Sequence, residues 1–496
     1  MHIKLNDAET YAETYAETYA ETYAESRKLK YMNQVYQENM IEALHSLVPA
    51  TVLVTRRQKI QSALAADSCA IICAGEPASR NFPANHYQGF RASSHFLYLV
   101  AQHLPGAMLV LSRNEACLFH HKPTQSGALW HGEEKSFAQL SQELGCEVKP
   151  LAQLTDMLNR FAKHLRPPSF QSDVLLKLRT LSGRDFSFEQ DAVLVDALVQ
   201  ARLVHDEAGI KQLRLAAELT RLAHQAGVKA SATASWAHEV RAAMEHVVMK
   251  HGASLAYAPI VTPHGEVLHN HHYHAPLSAG DLILADVGAE TPQGWAGDVT
   301  RTWPVNGQWS ASQADVYDVV LSALKQASAL AAPGVEYASL HQKAREVLAQ
   351  GLIDLKILKG TVEENLEANS VALFFPHGIG HLLGLDVHDM EDLGDYAGYA
   401  PKRTRRSTFG WGYLRLDRTL QAGMAITVEP GFYQVSALLK DPDWAGPKAG
   451  ACVNWERLAH FQDVRGIRIE DDLLITETGN ENLSEAIPSE RKDLQN

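Results

Sequence analysis

The chain contains 496 residues, and its 45 basic and 58 acidic side chains give a formal net charge of −13. At roughly 150 residues per domain this length predicts two to four domains. A hydrophobic content of 46% excludes disorder throughout the chain. The acidic balance argues against a nucleic-acid partner or an anionic membrane surface, because phosphate binding needs a basic face.

The five cysteines are few, odd in number and without the spacing of a zinc site. This usage is typical of a reducing compartment. The sequence has no run of about 18 apolar residues that could span a bilayer, and its first residues lack the apolar core of a signal peptide. We therefore expect a cytoplasmic protein with no membrane partner.

Four consecutive Ala-Glu-Thr-Tyr repeats begin at Ala8. On an α-helix a period of four drifts by about 40° per repeat, so the tyrosines form no fixed core face. One interpretation is an interaction helix. The interpretation that we favour is a low-complexity tail over residues 1–31, produced by repeat expansion upstream of an older start near Met32.

Residues 32–205 have the pattern of a mixed α/β domain. Helical periodicity covers residues 56–65. Short apolar runs between turn-forming residues predict buried strands at 70–73, 96–100, 107–111 and 117–119. A long helical pattern then covers 206–226, and we place a domain boundary near His205.

In the second half, carboxylates occupy strand positions at which burial of an apolar side chain would cost less free energy. Predicted strands end on Asp286 and on Glu429. A further predicted strand begins at Gly466, contains Glu470 and runs on into residues 473–476. A buried carboxylate is costly unless it is paired or bound to a metal, so repeated carboxylates in strands indicate a shared cation.

One imidazole joins these acidic groups. Asp298 follows Asp286 across a turn, and a hairpin brings their two carboxylates together. The run His377-Gly-Ile-Gly-His381 adds the ring of His381. If these side chains converge, the four negative charges of the carboxylates balance two divalent cations. Oxygen-rich ligation favours Mn2+, with Co2+ or Zn2+ as alternatives.

These motifs resemble the pita-bread metallopeptidases, in the proline-directed branch that contains aminopeptidase P and prolidase. The C-terminal segments that match, in the family's order, are Asp286-Val-Gly, 297–307, 377–388, Thr427-Val-Glu-Pro-Gly-Phe-Tyr433 and Gly466-Ile-Arg-Ile-Glu-Asp-Asp472. The N-terminal segments that match the branch's non-catalytic domain are Arg56-Arg57-Gln58, Gly75-Glu-Pro77 and 90–98. The resemblance implies an α/β (α+β) fold. An N-terminal mixed α/β domain of the creatinase/aminopeptidase P type covers 32–205, and a pita-bread catalytic domain covers 206–496.

The resemblance also implies a set of metal ligands. Two divalent metal ions are bound by Asp286, Asp298, His381, Glu429 and Glu470. Asp298 and Glu470 bridge the two ions. A hydroxide between the ions attacks the carbonyl that precedes proline, and Glu429 handles the proton.

Four further residues belong to the implied catalytic site. His269 steadies the carbonyl oxygen or the tetrahedral intermediate, and His377 and His388 contact the substrate and relay protons. Arg468 lies two residues from Glu470, on the same strand face, and holds the site's carboxylates in place.

The sequence departs from the family pattern at one point. Asp286 and Asp298 are twelve positions apart, whereas the family pattern has eleven. We expect the extra residue to lie in the turn around Pro292, which absorbs it without moving either strand. A shift of register instead turns one aspartate away from the metals.

Three functions are compatible with the resemblance. We expect an Xaa-Pro aminopeptidase, because the N-terminal domain and residues 466–471 resemble aminopeptidase P. The alternative is an Xaa-Pro dipeptidase, a prolidase with organophosphate hydrolase side activity, because the insert 434–465 resembles prolidase. A non-catalytic interaction module is disfavoured, since all five ligand positions hold compatible side chains. The expected partners are a proline-containing peptide substrate and further copies of the chain in a dimer or tetramer.

Two other patterns are interpreted as structural. In the run His269-Asn-His-His-Tyr-His274, the three histidines after His269 are expected to be solvated loop residues. The basic run of Lys402, Arg403, Arg405 and Arg406 is expected to be a solvated loop face.

A truncated chain that begins at Met32 tests the interpretation of the repeat. We expect this chain to fold and to keep its activity, because a segment of such composition is typical of a tail. Thermal unfolding and peptide hydrolysis, each measured beside the full-length chain, are the readouts. Loss of folding or of activity contradicts the tail interpretation.

Overall fold

The computed structural model describes residues 38–82, 85–86 and 89–494, and for residues 85 and 86 it describes the backbone alone. The Ala-Glu-Thr-Tyr repeat and the proposed start near Met32 lie outside the described residues. The interpretation of this segment as a tail therefore stays a prediction.

The chain divides into two compact units, Met1–Ser46 and Leu47–Asn496. Within the first unit, the described residues 38–45 are helical. The second unit contains all the residues of the predicted site. No helix in the described ranges is long and apolar enough to cross a membrane.

The N-terminal part of the larger unit is built on a five-stranded mixed sheet. Its strands, from one edge to the other, are Glu147–Pro150, Ala116–His120, Met108–Ser112, Ser68–Cys73 and Lys163–Leu165. A separate two-stranded pair consists of Ser79–Phe82 and Asn85–His86. Ile71 and Ile72 point into different core clusters, so the central strand is covered on both faces. This explains its continuous apolar sequence and confirms the strands predicted at 70–73, 107–111 and 117–119.

The helices of this part correct two predictions. They are Ala50–Gln61, Ser94–Val100, Gln125–His131, Phe137–Leu144, Leu154–Leu158, Ser172–Ser182 and Phe188–Leu203. The predicted strand at 96–100 is wrong, because these residues belong to the helix Ser94–Val100. All seven side chains of that helix are buried, so no apolar periodicity distinguished helix from strand. The helix predicted at 56–65 is Ala50–Gln61, which begins earlier, directly after Pro49, and ends four residues sooner than predicted.

The second part of the larger unit combines long helices with small sheets. Its helices are Glu207–Ser231, Ala237–Lys250, Ala311–Leu330, Tyr337–Asp354, Val362–Ala368, Asp395–Gly398, Ser436–Leu439 and Trp455–Leu458. Its strands are Ser254–Leu255, Ile260–Thr262, Leu282–Asp286, Ala289–Glu290, Thr300–Pro304, Ala425–Val428, Gly431–Tyr433, Gly466–Arg468, Asp471–Ile475 and Asn480–Asn482. The helix predicted at 206–226 is confirmed and extends to Ser231.

One antiparallel pairing in this part is interrupted. The two segments on either side of the interruption are Ala425–Val428 with Asp471–Ile475 and Gly431–Tyr433 with Gly466–Arg468. Both segments keep one register, because Val428 is opposite Asp471 and Gly431 is opposite Arg468. Pro430 lies in the gap and has no amide hydrogen for a strand ladder, which explains why regular pairing stops there.

The interruption corrects the prediction for the last strand. The run from Gly466 into residues 473–476 is two strands in different sheets, and Glu470 lies between them. Glu429 likewise follows the end of its strand. Because the register continues across the gap, Glu429 and Glu470 face each other at the place where both strands break.

An ion pair joins the first helix of the N-terminal part to the start of the second part. Asp206 accepts hydrogen bonds from Nε and Nη2 of Arg56, each at 2.8 Å, and caps the next helix by accepting from the amide of Gly209 at 2.9 Å. Burial raises the pKa of Asp206, but the guanidinium of Arg56 and the amide of Gly209 outweigh this effect, so its pKa is lowered. The domain boundary that we place at His205, next to this pair, stays a prediction.

Substitution of Asp206 tests this junction. Asp206→Ala is expected to lower the free energy of unfolding by about 3 kcal/mol or more, because it removes a helix cap and leaves a buried guanidinium unpaired. Asp206→Asn is the matched control, since its amide oxygen still caps the helix. Because the pKa of Asp206 is lowered by folding, the stabilisation is present above its unfolded value of about 4 and is lost as pH falls through the folded value. Urea unfolding curves measure both variants beside the wild-type chain, and an Asp206→Asn variant that is as stable as the wild type contradicts the ion-pair contribution.

Candidate active site

A β-hairpin brings Asp286 and Asp298 to one place. Its two strands keep one register from the pairing of Asp286 with Thr300 to the tip, where the amide of Thr291 donates to the carbonyl of Trp295 at 2.9 Å. Asp298 lies two residues before Thr300 and therefore projects from the same face as Asp286. This unbroken register shows that neither aspartate is turned away from the shared face. That the extra residue of the spacing lies in the tip stays a prediction.

The hydroxyl of Tyr257 contacts both aspartates. It lies 2.6 Å from Oδ1 of Asp286 and 2.6 Å from Oδ1 of Asp298. A hydroxyl group has one hydrogen and donates to one acceptor at a time. Because both carboxyl oxygens lie 2.6 Å from the same hydroxyl oxygen, the two carboxyl groups are close together. The predicted convergence of the two aspartates is therefore confirmed.

Glu470 is tied to the hairpin by its backbone and by its side chain. The amide of Glu470 donates to the carbonyl of Thr300 at 3.0 Å, and Oγ1 of Thr300 donates to Oε2 of Glu470 at 2.6 Å. The amide of Glu429 donates to the carbonyl of Ile379 at 2.8 Å. Hydrogen bonds thus connect both glutamates to the segments that carry the other predicted ligands.

His381 lies in a glycine-containing segment beside the strand that precedes Glu429. The amide of His381 donates to Oγ1 of Thr427 at 3.2 Å, and the amide of Thr427 donates to the carbonyl of His381 at 3.0 Å. Gly380 has a φ of 149° and lies against the backbone of Thr427, so a side chain at this position has no room. The glycine permits the close approach that delivers the histidine.

The hydrogen bonds of His381 fix which ring nitrogen faces the carboxylates. Nδ1 donates to the carbonyl of Leu382 at 3.0 Å. Burial lowers the pKa of His381 to about 4, so the ring is neutral and its Nε2 carries a lone pair. That nitrogen lies 3.3 Å from Oδ2 of Asp298 and 3.8 Å from Oε1 of Glu429. This is the orientation of a metal-binding histidine, whose other nitrogen is held by the backbone.

Electrostatics at the site are dominated by negative charge. Burial raises the pKa of all four carboxyl groups, those of Asp286, Asp298, Glu429 and Glu470. For Glu429 the neighbouring carboxylates contribute to the increase, and its pKa rises to about 8. Repulsion from these neighbours also raises the pKa of Glu470 well above its ordinary value.

Arg468 is a cation in direct contact with this acidic cluster. Its Nη2 donates to Oδ2 of Asp286 at 2.5 Å, its Nε donates to Oγ1 of Thr300 at 3.0 Å, and its Nη1 donates to the hydroxyl of Tyr433 at 3.1 Å. The predicted contact with the site's carboxylates is thus direct for Asp286. It reaches Glu470 through the hydroxyl of Thr300.

The donor set fits divalent metal. Ligand atoms of Asp298, His381 and Glu470 lie within 4.8 Å of one another, and all three residues are buried. Four carboxyl groups beside the single guanidinium of Arg468 leave negative charge that a buried site has to compensate. A lone pair on a neutral imidazole and several carboxylate oxygens are the ligands that Mn2+ and similar ions accept.

His377 adjoins the cluster. Its Nδ1 donates to the carbonyl of Gly378 at 2.7 Å, which leaves Nε2 to accept from the hydroxyl of Tyr433 at 2.9 Å. Burial, together with the positive charge of Arg468, lowers the pKa of His377 to about 3. Nδ1 lies 3.7 Å from Oε2 of Glu429.

His388 and His269 lie on loops around the same place. The ring centroids of His388 and His381 are 4.3 Å apart, and Nδ1 of His388 lies 3.5 Å from Oε2 of Glu391. His269 belongs to the loop after the strand Ile260–Thr262. Burial and the charge of Arg468 lower the pKa of His269, and His388 also contributes to this shift. The ring contact agrees with the expected location of His388. The location of His269 at the site and the catalytic roles of both histidines stay predictions.

Sequence reasoning missed several residues of the site. Tyr257 has no motif of its own, and nothing in the sequence indicated that its hydroxyl reaches both aspartates. Thr300 and Tyr433 lie inside the motifs but received no role. Strand alternation gave a signal for Thr300, because it lies two residues from Asp298 on the same face. Arg415 pairs with Glu391 at 2.6 Å and 2.9 Å, a contact that depends on loop structure.

The two patterns interpreted as structural have structural partners. His274 stacks on Trp236 with ring centroids 4.4 Å apart. In the basic run, Arg403 pairs with Glu336 and Asp417, Arg405 pairs with Asp395, and Arg406 lies over the ring of Trp411 at 3.9 Å. The whole run is nevertheless exposed on a loop, which confirms the expectation of a solvated loop face.

Two segments of the chain match known families. Residues 211–477 match Metallopeptidase family M24, and residues 53–167 match Aminopeptidase P, N-terminal domain. The Xaa-Pro aminopeptidase of Escherichia coli (strain K12) is 30% identical over 464 residues, which cover 89% of this chain and 96% of that protein.

Solved structures give a similar result. The structure of aminopeptidase P from E. coli with the inhibitor Pro-Leu superposes with a TM-score of 0.74 and 26% identity, covering 90% of this chain and 98% of that one. Zn-substituted E. coli aminopeptidase P in complex with product superposes with a TM-score of 0.73 and 26% identity, over the same shares of the two chains.

Removal of divalent metal is expected to destabilise the fold, because the buried carboxylates then repel one another. A cation at a hundred times its dissociation constant contributes about 2.7 kcal/mol. We therefore expect a chelator to lower the midpoint of thermal unfolding and Mn2+ to restore it. Glu470→Gln, which removes a ligand charge at similar volume, is expected to weaken this response. A midpoint that is unchanged by the chelator contradicts the metal site.

Proposed function

This chain belongs to metallopeptidase family M24, and we propose that it is an Xaa-Pro aminopeptidase, which hydrolyses the peptide bond between an N-terminal residue and a following proline. The observation that carries the proposal is the convergence of four carboxylates and one neutral histidine in a buried place. The name and near full-length coverage of the E. coli relative support the substrate class.

As a metallopeptidase the chain uses divalent metal, and we propose two ions. The residues that hold them are Asp286, Asp298, His381, Glu429 and Glu470. Bound divalent ions supply Lewis-acid activation of water and of the scissile carbonyl. The proposal of Mn2+ is supported by the four carboxylates, since oxygen donors favour it over structural zinc. Asp298 and Glu470 would each offer both carboxylate oxygens to the ions.

Glu429 is proposed to accept a proton from the attacking water and to hand it on to the leaving nitrogen of proline. Its Oε1 lies 3.8 Å from Nε2 of His381, so this carboxylate adjoins another predicted ligand. The ring of His377 lies 3.7 Å from Oε2 of Glu429 and extends this polar contact to the hydroxyl of Tyr433. His377 is therefore proposed to contact the substrate and relay protons.

His269 and His388 approach the cluster from loops. We propose that His269 stabilises the developing negative charge on the carbonyl oxygen and that His388 contacts the substrate. The ring of His388 lies 4.3 Å from that of His381, and the charges of Arg468 and Asp286 act on His269. Arg468 is proposed to hold Asp286 in its orientation, through the 2.5 Å hydrogen bond. We also propose a cytoplasmic homo-oligomer, a dimer or tetramer.

The aminopeptidase and dipeptidase functions are separated by the length of the substrate. We expect the chain to cleave an Xaa-Pro-Xaa tripeptide as well as an Xaa-Pro dipeptide. Amino-acid release from both peptides, measured with Mn2+ present, decides between the two functions. Cleavage of the dipeptide alone refutes the aminopeptidase and supports the prolidase alternative.

Loss of a ligand is expected to abolish both activities. Asp298→Ala and Glu470→Ala each leave carboxylates that cannot hold two cations, and we expect kcat to fall by about 1000-fold or more. The matched control is Glu477→Ala, which removes an exposed carboxylate near Glu470 in sequence. Substantial activity in either ligand variant contradicts the assignment.

A further inference from the structure

We propose that side chains of the N-terminal part position the loop that carries His388, a role that rests on the proposed function. We call residues 385–392 the His388 loop; it lies within the M24 match. Arg91, Ser94 and His95 lie within the match to the aminopeptidase P N-terminal domain, and Arg202 lies between the two matches. All four contact the His388 loop or a residue that does.

Arg202 forms the buried anchor of this contact. It belongs to the helix Phe188–Leu203, and its Nη2 donates to Oδ1 of Asp389 at 2.6 Å. Both side chains are almost fully buried, with exposed fractions of 1% and 2%. The same nitrogen lies 3.6 Å from Oδ2 of Asp386. Asp389 is adjacent to His388 in the chain, so this pair fixes the backbone at the histidine itself.

His95 extends the anchor to the other end of the loop. Nη1 of Arg202 lies 2.8 Å from Nδ1 of His95, and because a guanidinium only donates, Nδ1 is the acceptor. The ring proton is therefore on Nε2, which donates to Oδ2 of Asp392 at 3.0 Å. The imidazole ring thus bridges Arg202 and the loop on the far side of His388.

Ser94 and Arg91 hold the beginning of the loop. Oγ of Ser94 donates to Oδ1 of Asp386 at 2.7 Å, and Nη1 of Arg91 donates to Oγ of Ser94 at 3.0 Å. Nη2 of Arg91 also donates to the carbonyl of Leu385. The loop is therefore held on both sides of His388 by residues outside the catalytic match.

The His388 loop has local features that make such support necessary. Met390 adopts φ 61°, a left-handed conformation that a residue with a side chain rarely takes without constraint from its surroundings. The His388 side chain is 36% exposed. With its ring 4.3 Å from that of His381, the position of His388 relative to the metal ligands follows from the loop. Arg202 and His95 are positioning residues that act through His388.

Replacement of His95 by phenylalanine tests the role, because the ring remains while both hydrogen bonds are lost. For an Xaa-Pro-Xaa tripeptide we expect His95→Phe to lower kcat by about 10- to 100-fold with little change in KM. In a chain that already carries His388→Ala, we expect His95→Phe to cause no further loss, since the residue it positions is absent. Ser94→Ala and Arg202→Lys, smaller changes in the same network, are expected to follow the same pattern if His95→Phe folds poorly.

Arg184→Met is the matched control. It breaks the pairing of Arg184 with Asp191, a buried residue of the helix that carries Arg202, at 2.6 Å. This change is expected to lower stability while leaving kcat unchanged. Hydrogen exchange of peptides that cover residues 385–392 is expected to accelerate in His95→Phe and not in Arg184→Met.

The outcomes separate the two proposals. A wild-type chain that cleaves no Xaa-Pro peptide refutes the proposed function, and hydrogen exchange in the His388 loop then still decides the positioning role. An unchanged kcat and unchanged exchange in the folded variants overturn that role. A loss of kcat in His95→Phe that adds fully to the loss caused by His388→Ala overturns the role as well, because the effect of His95→Phe is then independent of His388.

Discussion

Repulsion between buried carboxylates is the constraint on which the rest of this structure depends. Four acidic side chains share one place with the guanidinium of Arg468, and burial raises the pKa of every one of them. Such an arrangement is unfavourable in a folded chain unless cations compensate the charge. The scaffold must therefore hold four carboxylates together against their own repulsion, and this requirement explains why these residues lie on or directly beside paired strands and are tied by hydrogen bonds.

Two antiparallel pairings meet this requirement in different ways. The hairpin places Asp286 and Asp298 on one face, because its register is unbroken to the tip. The second pairing is interrupted, and its gap leaves Glu429 and Glu470 opposite each other with no regular ladder between them. Thr300, in the hairpin, joins the two pairings, because its carbonyl and its hydroxyl both contact Glu470. If the second pairing were continuous, it would have no gap in which Glu429 and Glu470 could face each other.

The candidate ligands could be identified in the sequence because carboxylates in apolar strand patterns contradict the usual pattern of burial. The hairpin at Asp286 followed from alternation and turn residues, and the structure agrees with it. The break at Glu470 could not be predicted in this way, since the sequence of residues 466–475 has the pattern of a continuous strand. The interruption depends on Pro430, which lies opposite, in the partner strand. The helix Ser94–Val100 was mistaken for a strand because burial on all sides removes periodicity. Tyr257 was missed because its role exists only in three dimensions.

The tip of the hairpin has a consequence for the modularity of the chain. Arg91 donates to the carbonyl of Gly294 at 3.3 Å, and Nε2 of His103 lies 3.0 Å from the carbonyl of Pro292. The turn in which we expect the extra residue is thus also a surface that the N-terminal part contacts. A chimera that takes its N-terminal domain from a relative with a shorter turn therefore meets a tip of different length at this contact. The two domains have to be exchanged together, or their contact at the turn redesigned, and they do not behave as independent building blocks.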